Sequence, residues 1–365
     1  MLWRFTERMD RDKVIIDTAA PQNPDANLLI IYTGGTLGMV YDKNGSLVPF
    51  DFQQILDRIP SLKRFNLLLT VISFRELIDS ASATPETWVE IGDIIFHNYN
   101  NYDGFVVLHG TDTMAYSASA LSFMLRGLTK PVIFTGAQLP IGAVRTDARE
   151  NLLTALEIAA AKKEDGSPVV PEVCIYFSNR LLRGNRARKV QSLHFDAFES
   201  TNYPLLAEAG IEIHYNRHVI RSLKDNDKLR YSRKFNGQVM ILKLFPGICR
   251  NAVETILALP RLRGVVLETF GSGNAPASKW FMEAVEKAVA AGILILNVSQ
   301  CHGGRVLQGR YKSSHWLQEI GVLNGADITS EAALTKMMFL LGEESSDNEY
   351  RSRLIEPLSG EMTKK

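Results

Sequence analysis

The apolar runs Leu28-Leu29-Ile30-Ile31 and Phe105-Val106-Val107-Leu108 leave this chain few choices of fold. Neither alternates with polar residues, so a strand built from either is apolar on both faces and must be covered on both. Similar runs predict strands over 28–33, 67–73, 104–108, 132–135, 172–177, 238–244, 265–270 and 293–298. Helical patterns fall between them, over 50–59, 85–99, 115–126, 148–161, 252–259, 277–290 and 331–341. Thr84-Pro85-Glu86-Thr87 starts one of these helices with a cap, a first-turn proline and an acid near the positive end of the dipole. Buried strands alternating with amphipathic helices predict an α/β protein of two doubly wound, mostly parallel-sheet domains, the N-terminal one larger.

A length of 365 residues suits about two domains. The segment 214–236 is polar and charged with only short apolar pieces, and reads as a linker between a catalytic α/β domain over 27–213 and a C-terminal α/β domain over 237–365. Residues 1–26 read as a flexible N-terminal extension, and residues after Glu343 as a second flexible end. The N-terminal charges Arg4, Glu7, Arg8, Asp10, Arg11, Asp12 and Lys13 interrupt any signal-peptide core, and no apolar run is long enough to span a bilayer. A cytoplasmic protein with no membrane partner is expected. A net charge of +1 supplies no long-range pull toward nucleic acid. Cys174, Cys249 and Cys301 form neither a disulfide framework nor a metal spacing, and read as buried free thiols. The seven histidines show no paired ligand spacing, so no metal and no cofactor are expected.

Two strands run into loops that carry threonine hydroxyls: Thr33-Gly34-Gly35-Thr36 and His109-Gly110-Thr111-Asp112-Thr113. The carboxyl ends of strands are where open α/β sheets bind ligands. Thr36 as a nucleophile needs a base and oxyanion donors; otherwise the segment is a turn with incidental threonines. Thr111 and Asp112 place a hydroxyl and a carboxylate at one strand end, or else make an ordinary helix cap. Lys189, in the basic turn Arg183-Gly184-Asn185-Arg186-Ala187-Arg188-Lys189, can move protons beside a hydroxyl, or else belongs to a solvated loop. His109 reads as a satisfied core or supporting histidine.

These segments, with Gly136-Ala137 after a strand, Gly271-Ser272-Gly273-Asn274-Ala275-Pro276 and Ser330-Glu331-Ala332-Ala333-Leu334-Thr335-Lys336, resemble the bacterial-type L-asparaginases, and most nearly their cytoplasmic type I branch. The likeness runs from about Leu28 to the C-terminal helix. It implies hydrolysis of L-asparagine to L-aspartate and ammonia through an acyl-enzyme. Thr36 matches the family's nucleophile, and Thr111, Asp112 and Lys189 its Thr-Asp-Lys set. Asp112 matches the partner of the substrate α-ammonium and Ser80 that of its α-carboxylate, with Asp79 holding the loop. The Ala137 carbonyl matches the acceptor for the leaving amide. The resemblance also implies a homodimer or homotetramer.

Two departures stand out. The family's mobile-loop tyrosine is matched by Ser46; Tyr41 in the same loop is a candidate substitute, or else the activator of Thr36 is different or the loop closes in another way. Arg188 and Glu268 replace a Thr and an Arg of the allosteric region found in some type I relatives; that region here is Arg188, Glu268 and Cys301, and the two new charges are placed to pair. Two other readings remain open. One is the amidase subunit of a tRNA-dependent amidotransferase, against which the short segment before Leu28 counts. The other is a non-catalytic amino-acid sensor. Pro276 falls where the third glycine of a dinucleotide fingerprint belongs.

Overall fold

The computed structural model describes residues 13–17, 24–41, 47–49, 59–224, 226–309 and 312–364. They form two compact units. The first holds the residues up to Glu199 together with Pro204–Tyr231; the second holds Ser200–Tyr203 and the residues from Ser232 onward. The α/β class and the mostly parallel sheets are as the sequence predicts. The helix expected over 50–59 lies outside the described residues except for Ile59.

The first unit is built on nine strands: β1 (Lys13–Asp17), β2 (Ala26–Tyr32), β3 (Leu67–Ser73), β4 (Gly104–Leu108), β5 (Val132–Thr135), β6 (Val173–Phe177), β7 (Arg180–Arg183), β8 (Ala207–Ala209) and β9 (Ile213–Tyr215). Their order across the sheet is β1-β3-β2-β4-β5-β6-β7-β8-β9. The central five are parallel, and the flanks are antiparallel. Helices α1 (Pro85–Asn98), α2 (Met114–Met124) and α3 (Ala148–Ala160) make the crossovers from β3 to β4, β4 to β5 and β5 to β6. The chain leaves β2 toward β3, then crosses back to β4 on the other side. The order therefore reverses between β2 and β4, and a crevice opens at their carboxyl ends. Leu28–Tyr32 and the whole of β4 are buried, as strands covered on both faces must be.

Three expectations about the chain's borders need correction. In place of a flexible extension over 1–26, Lys13–Asp17 pairs antiparallel with β3, Lys13 against Ile72 and Asp17 against Leu68. A Val-Ile-Ile run too short to stand out beside its charged neighbours suffices once a sheet edge is available. The expected linker over 214–236 also folds largely onto the first unit. Ile213–Tyr215 extends the sheet, and Arg230–Tyr231 pairs with Leu125–Arg126. Tyr231 Oη donates to Asp93 Oδ1 at 2.7 Å while its ring stacks on Phe96. The charges that resemble a linker are instead tied down: Arg221 donates to Leu128 O and to Asp227.

The second unit has a parallel sheet in sequential order, β10 (Val239–Lys243), β11 (Gly264–Thr269), β12 (Leu294–Ser299) and β13 (Leu323–Asn324). Leu242, Val265, Leu267 and Ile295 pack with Val253 of α4 (Arg250–Leu257), Phe281 and Val285 of α5 (Lys279–Ala290) and Leu317 of α6 (Lys312–Glu319). α7 (Ser330–Gly342) packs on β10, β11 and β12, and α8 (Asp347–Ile355) packs on α7. A Cβ on Gly264 would fall 2.3 Å from Met337 Sδ of α7, so any larger residue there would displace the Met337 side chain. Among the described residues no helix is long and apolar enough to cross a membrane.

The segment after Glu343 is the third correction, because it completes the second unit's core. Lys336 and Glu361 are both fully buried and pair at 2.8 Å. Lys336 Nζ also donates to Leu354 O and Glu356 O, and the Glu361 carboxylate accepts from the Leu358 and Ser359 amides. Thr363 donates from its amide and hydroxyl to Asp327. Burial pulls the Lys336 pKa below its ordinary value, and the Glu361 charge opposes that pull. Removing one partner of such a pair strands a buried charge, whereas replacing both does not. Glu361→Leu is therefore expected to destabilise the protein by about 3–5 kcal/mol. The double variant Lys336→Met/Glu361→Leu is expected to lose much less, as read by denaturant unfolding followed on the second unit.

Candidate active site

β2, β4 and β5 end level with one another: Tyr32 lies beside Leu108, and Leu108 beside Thr135. The ladder continues one step further, with Thr33 N donating to Leu108 O and His109 N to Thr135 O. Three loops therefore leave the sheet side by side, beginning at Thr33, His109 and Gly136.

The first loop is set by two glycines. Gly34 and Gly35 have φ of 128° and 85°, a region open to glycine. A Cβ on Gly34 would lie 2.3 Å from Ile78 O, and one on Gly35 would lie 2.6 Å from Gly110 N. The first loop thus touches both the Ile78–Ser80 segment and the second loop, backbone against backbone. Thr36 follows directly and opens the short turn Thr36–Gly38. Tyr32 lies beneath, its Oη donating to Gly38 O at 2.8 Å. Thr36 is half-buried, and its hydroxyl makes no hydrogen bond to a described residue.

The second loop carries the charged chemistry. Lys189 Nζ donates to Thr111 Oγ1 and to Asp112 Oδ1, both at 2.7 Å. Lys189 is largely covered, whereas 63% of the Asp112 side chain faces solvent. Thr111 Oγ1 in turn donates to Gln138 Oε1 at 3.3 Å. Residues 111–113 directly precede α2, whose free N–H groups and dipole favour negative charge there. Thr113 Oγ1 donates to Ser80 O at 2.7 Å, and a Cβ on Gly110 would meet Ser80 Oγ at 2.5 Å. Ser80 is buried, and Asp79 caps the turn Ser80–Ser82 by accepting from Ala81 N.

Lys189 does not come from a solvated loop. Arg183 is buried in a bidentate pair with Glu172, and Asn185 and Arg186 are buried in the turn that follows. Arg188 and Lys189 then pair antiparallel with Glu199 and Phe198, which fixes where Lys189 emerges. The run looks solvated in sequence because its counter-charge, Glu172, lies on another segment.

The third loop holds Ala137, which is buried, and Gln138. Asp147 accepts from the Gln138 and Leu139 amides, and Asn151 Nδ2 donates to Gly136 O. Gln138 Nε2 donates to His194 O. Sequence reasoning missed Gln138, Asp147 and Asn151. The signal for Gln138 was available: it is the polar side chain three residues beyond a buried strand that ends beside the other two loops.

His109 is buried beneath the second loop. Its Nδ1 lies 2.7 Å from Gly110 O and its Nε2 lies 2.9 Å from Ser117 Oγ. A carbonyl only accepts, so Nδ1 carries the proton and Nε2 accepts from Ser117. Ser117 Oγ accepts in turn from Trp88 Nε1 at 3.0 Å. Burial pulls the His109 pKa down to about 4, against the weaker opposing effect of the Gly110 carbonyl.

The other expected residues lie outside these three loops in sequence. Tyr41 ends a short strand, Met39–Tyr41, paired with Leu47–Pro49; its side chain and Ser46 lie outside the described residues. Glu268, in the second unit, accepts from Ser330 Oγ and lies 3.8 Å from Lys243 Nζ, so it has partners within its own unit. Cys301 and Cys249 are exposed; only Cys174 is the buried thiol expected of all three. Cys249 caps α4 and Cys301 sits in the turn after β12, positions that apolar neighbours in sequence do not bury.

Comparison with known proteins places these features in context. The family domain described as "Asparaginase, N-terminal" matches residues 27–221, and "Glutaminase/Asparaginase C-terminal domain" matches 238–354. L-asparaginase 1 of Escherichia coli K12 is 39% identical over 339 residues, covering 92% of this chain and 98% of the relative. The 60 kDa lysophospholipase of Mus musculus is 40% identical over 369 residues; the match covers 94% of this chain but only 64% of that longer protein. The crystal structure of L-asparaginase I from Vibrio cholerae superposes with a TM-score of 0.83 at 38% identity, covering 93% and 99% of the two chains.

The buried imidazole has a measurable consequence. In the native state it stays neutral down to about pH 4, whereas an unfolded histidine takes a proton below about 6.5. Between those values the unfolded chain binds more protons, so this contribution to stability is complete above about pH 6.5 and is lost as the pH falls toward 4. The loss attributable to His109 is expected to be on the order of a few kcal/mol. Denaturation midpoints at pH 7 and pH 4.5 should therefore differ more in the parent than in His109→Asn.

Proposed function

The chain belongs to the asparaginase family, and on that footing we propose that it hydrolyses the side-chain amide of L-asparagine to L-aspartate and ammonia. The observation that carries the proposal is the position of Lys189 Nζ, 2.7 Å from both Thr111 Oγ1 and Asp112 Oδ1, in a loop whose backbone touches that of Gly35 next to Thr36. Residues far apart in sequence meet at the sheet's switch point, where ligands bind in open α/β folds.

Asparagine enters with its α-ammonium on the exposed Asp112 carboxylate and its α-carboxylate at Ser80, which Asp79 supports. The amide nitrogen points to the Ala137 carbonyl. Thr36 Oγ1 attacks the amide carbon, and its proton passes to the leaving nitrogen. The C–N bond breaks, ammonia departs, and an acyl ester on Thr36 remains. Amide N–H groups beside Thr36 and Thr111 receive the oxyanion. Lys189 holds Thr111 Oγ1 and Asp112 together; it can take the Thr111 proton only as the neutral amine, since an ammonium has no lone pair. Thr111 then serves the second step, in which water attacks the ester, releases aspartate and returns the proton to Thr36. No metal or cofactor takes part. The active species is a homodimer or homotetramer.

Steady-state ammonia release over a wide range of asparagine, with glutamine alongside, tests the proposal. Thr36→Ala and Thr111→Val are each expected to lower kcat by on the order of a thousandfold or more. Lys189→Met is expected to fall comparably, with circular dichroism unchanged. If both threonine variants kept the parent rate, their assignment would be wrong. A hyperbolic asparagine curve is expected if Glu268, with its partners in its own unit, has lost the allosteric role of its counterparts.

A further inference from the structure

Gly35 must lack a side chain to let the first loop touch Gly110, and Gly110 must lack one to leave room for Ser80, which leaves the backbone between His109 and Thr111 with unusual freedom. The structure removes that freedom from below. The His109 backbone is pinned at the strand end: its amide donates to Thr135 O, and a Cβ on Gly136 would fall 2.4 Å from its carbonyl oxygen. Its ring is held in the core by the series Trp88 Nε1–H to Ser117 Oγ and Ser117 O–H to His109 Nε2. The ring's remaining proton, on Nδ1, is donated to Gly110 O at 2.7 Å.

That last bond fixes a direction. The peptide between Gly110 and Thr111 is planar and trans, so its C=O and N–H point opposite ways. With Gly110 O drawn down to the buried ring, the Thr111 N–H points the opposite way, away from the core. Among the described residues no acceptor takes that N–H. We infer that His109, backed by Ser117 and Trp88, is a positioning residue that aims the Thr111 amide at the developing oxyanion. The inference rests on the amide-hydrolysis reading above and adds to it a group that never touches substrate. Oxyanion donors act by being oriented before charge appears, so a carbonyl clamp on the same peptide contributes to the chemical step and little to binding.

Two near-isosteric variants separate this role from mere support of the core. In His109→Asn the side-chain amide nitrogen stands where Nδ1 stood and keeps the bond to Gly110 O. In His109→Gln the terminal amide reaches toward Ser117 and leaves Gly110 O without its donor. The expected result is a kcat at least tenfold lower in His109→Gln and less than threefold lower in His109→Asn, with KM for asparagine within twofold in both. A second readout needs no turnover: the 1H–15N signal of the Thr111 amide should shift in His109→Gln and hold in His109→Asn. Equal kcat and equal Thr111 shifts in the two variants, or losses that follow melting temperature alone, would overturn the inference. A parent protein that releases no ammonia from asparagine would instead sink the functional reading, and the Thr111 signal would still decide whether His109 orients that peptide.

Discussion

Everything at the site depends on two loop backbones lying in contact with no side chain between them. Gly35 lies against the Gly110 amide and Gly34 against Ile78 O, backbone on backbone. The contact is possible because the strand order reverses between β2 and β4, which sets their carboxyl ends next to each other with nothing threaded between. Thr36 and Thr111 each directly follow a glycine at this contact, and Lys189 reaches Thr111 and Asp112 from a separate ribbon.

Close backbone contact has a cost, since glycine is the most permissive residue in φ and ψ. The molecule answers with restraints drawn from outside the loops. Tyr32 holds the first loop at Gly38, His109 the second at Gly110, and Asp147 with Asn151 the third at Gly136 through Leu139. Each restraint runs from a buried or half-buried side chain to a backbone atom. Such bonds are stronger where water is excluded, and each leaves an expensive orphan if broken.

The sheet was legible because its strands are uninterrupted apolar runs, a pattern that needs only neighbouring residues to be read. The two threonine segments were legible because they sit at the ends of those runs, whereas Lys189 lies in a basic run that reads equally well as a solvated loop. What could not be read was pairing between distant polar groups. Glu172 turns the basic run at 183–189 into a buried structure, but it lies on the preceding strand's approach and carries no mark of its partner. Lys336 looks like any helical lysine until Glu361 arrives to meet it. Gln138 and Asn151 are ordinary polar residues whose value comes from the strand ends beside them. Local periodicity reports which surface is covered, whereas a polar residue's burial is decided by a partner that may be anywhere in the chain.

The Lys336–Glu361 pair also sets an order of events during biosynthesis. The lysine is made 25 positions before the carboxylate that neutralises it, counting from 336 to 361. At roughly 5–20 residues per second on the ribosome, the gap lasts on the order of seconds. Throughout that interval, packing α7 on its sheet would bury Lys336 without its counter-charge. The pair therefore ties the burial of α7 to a residue made after α8.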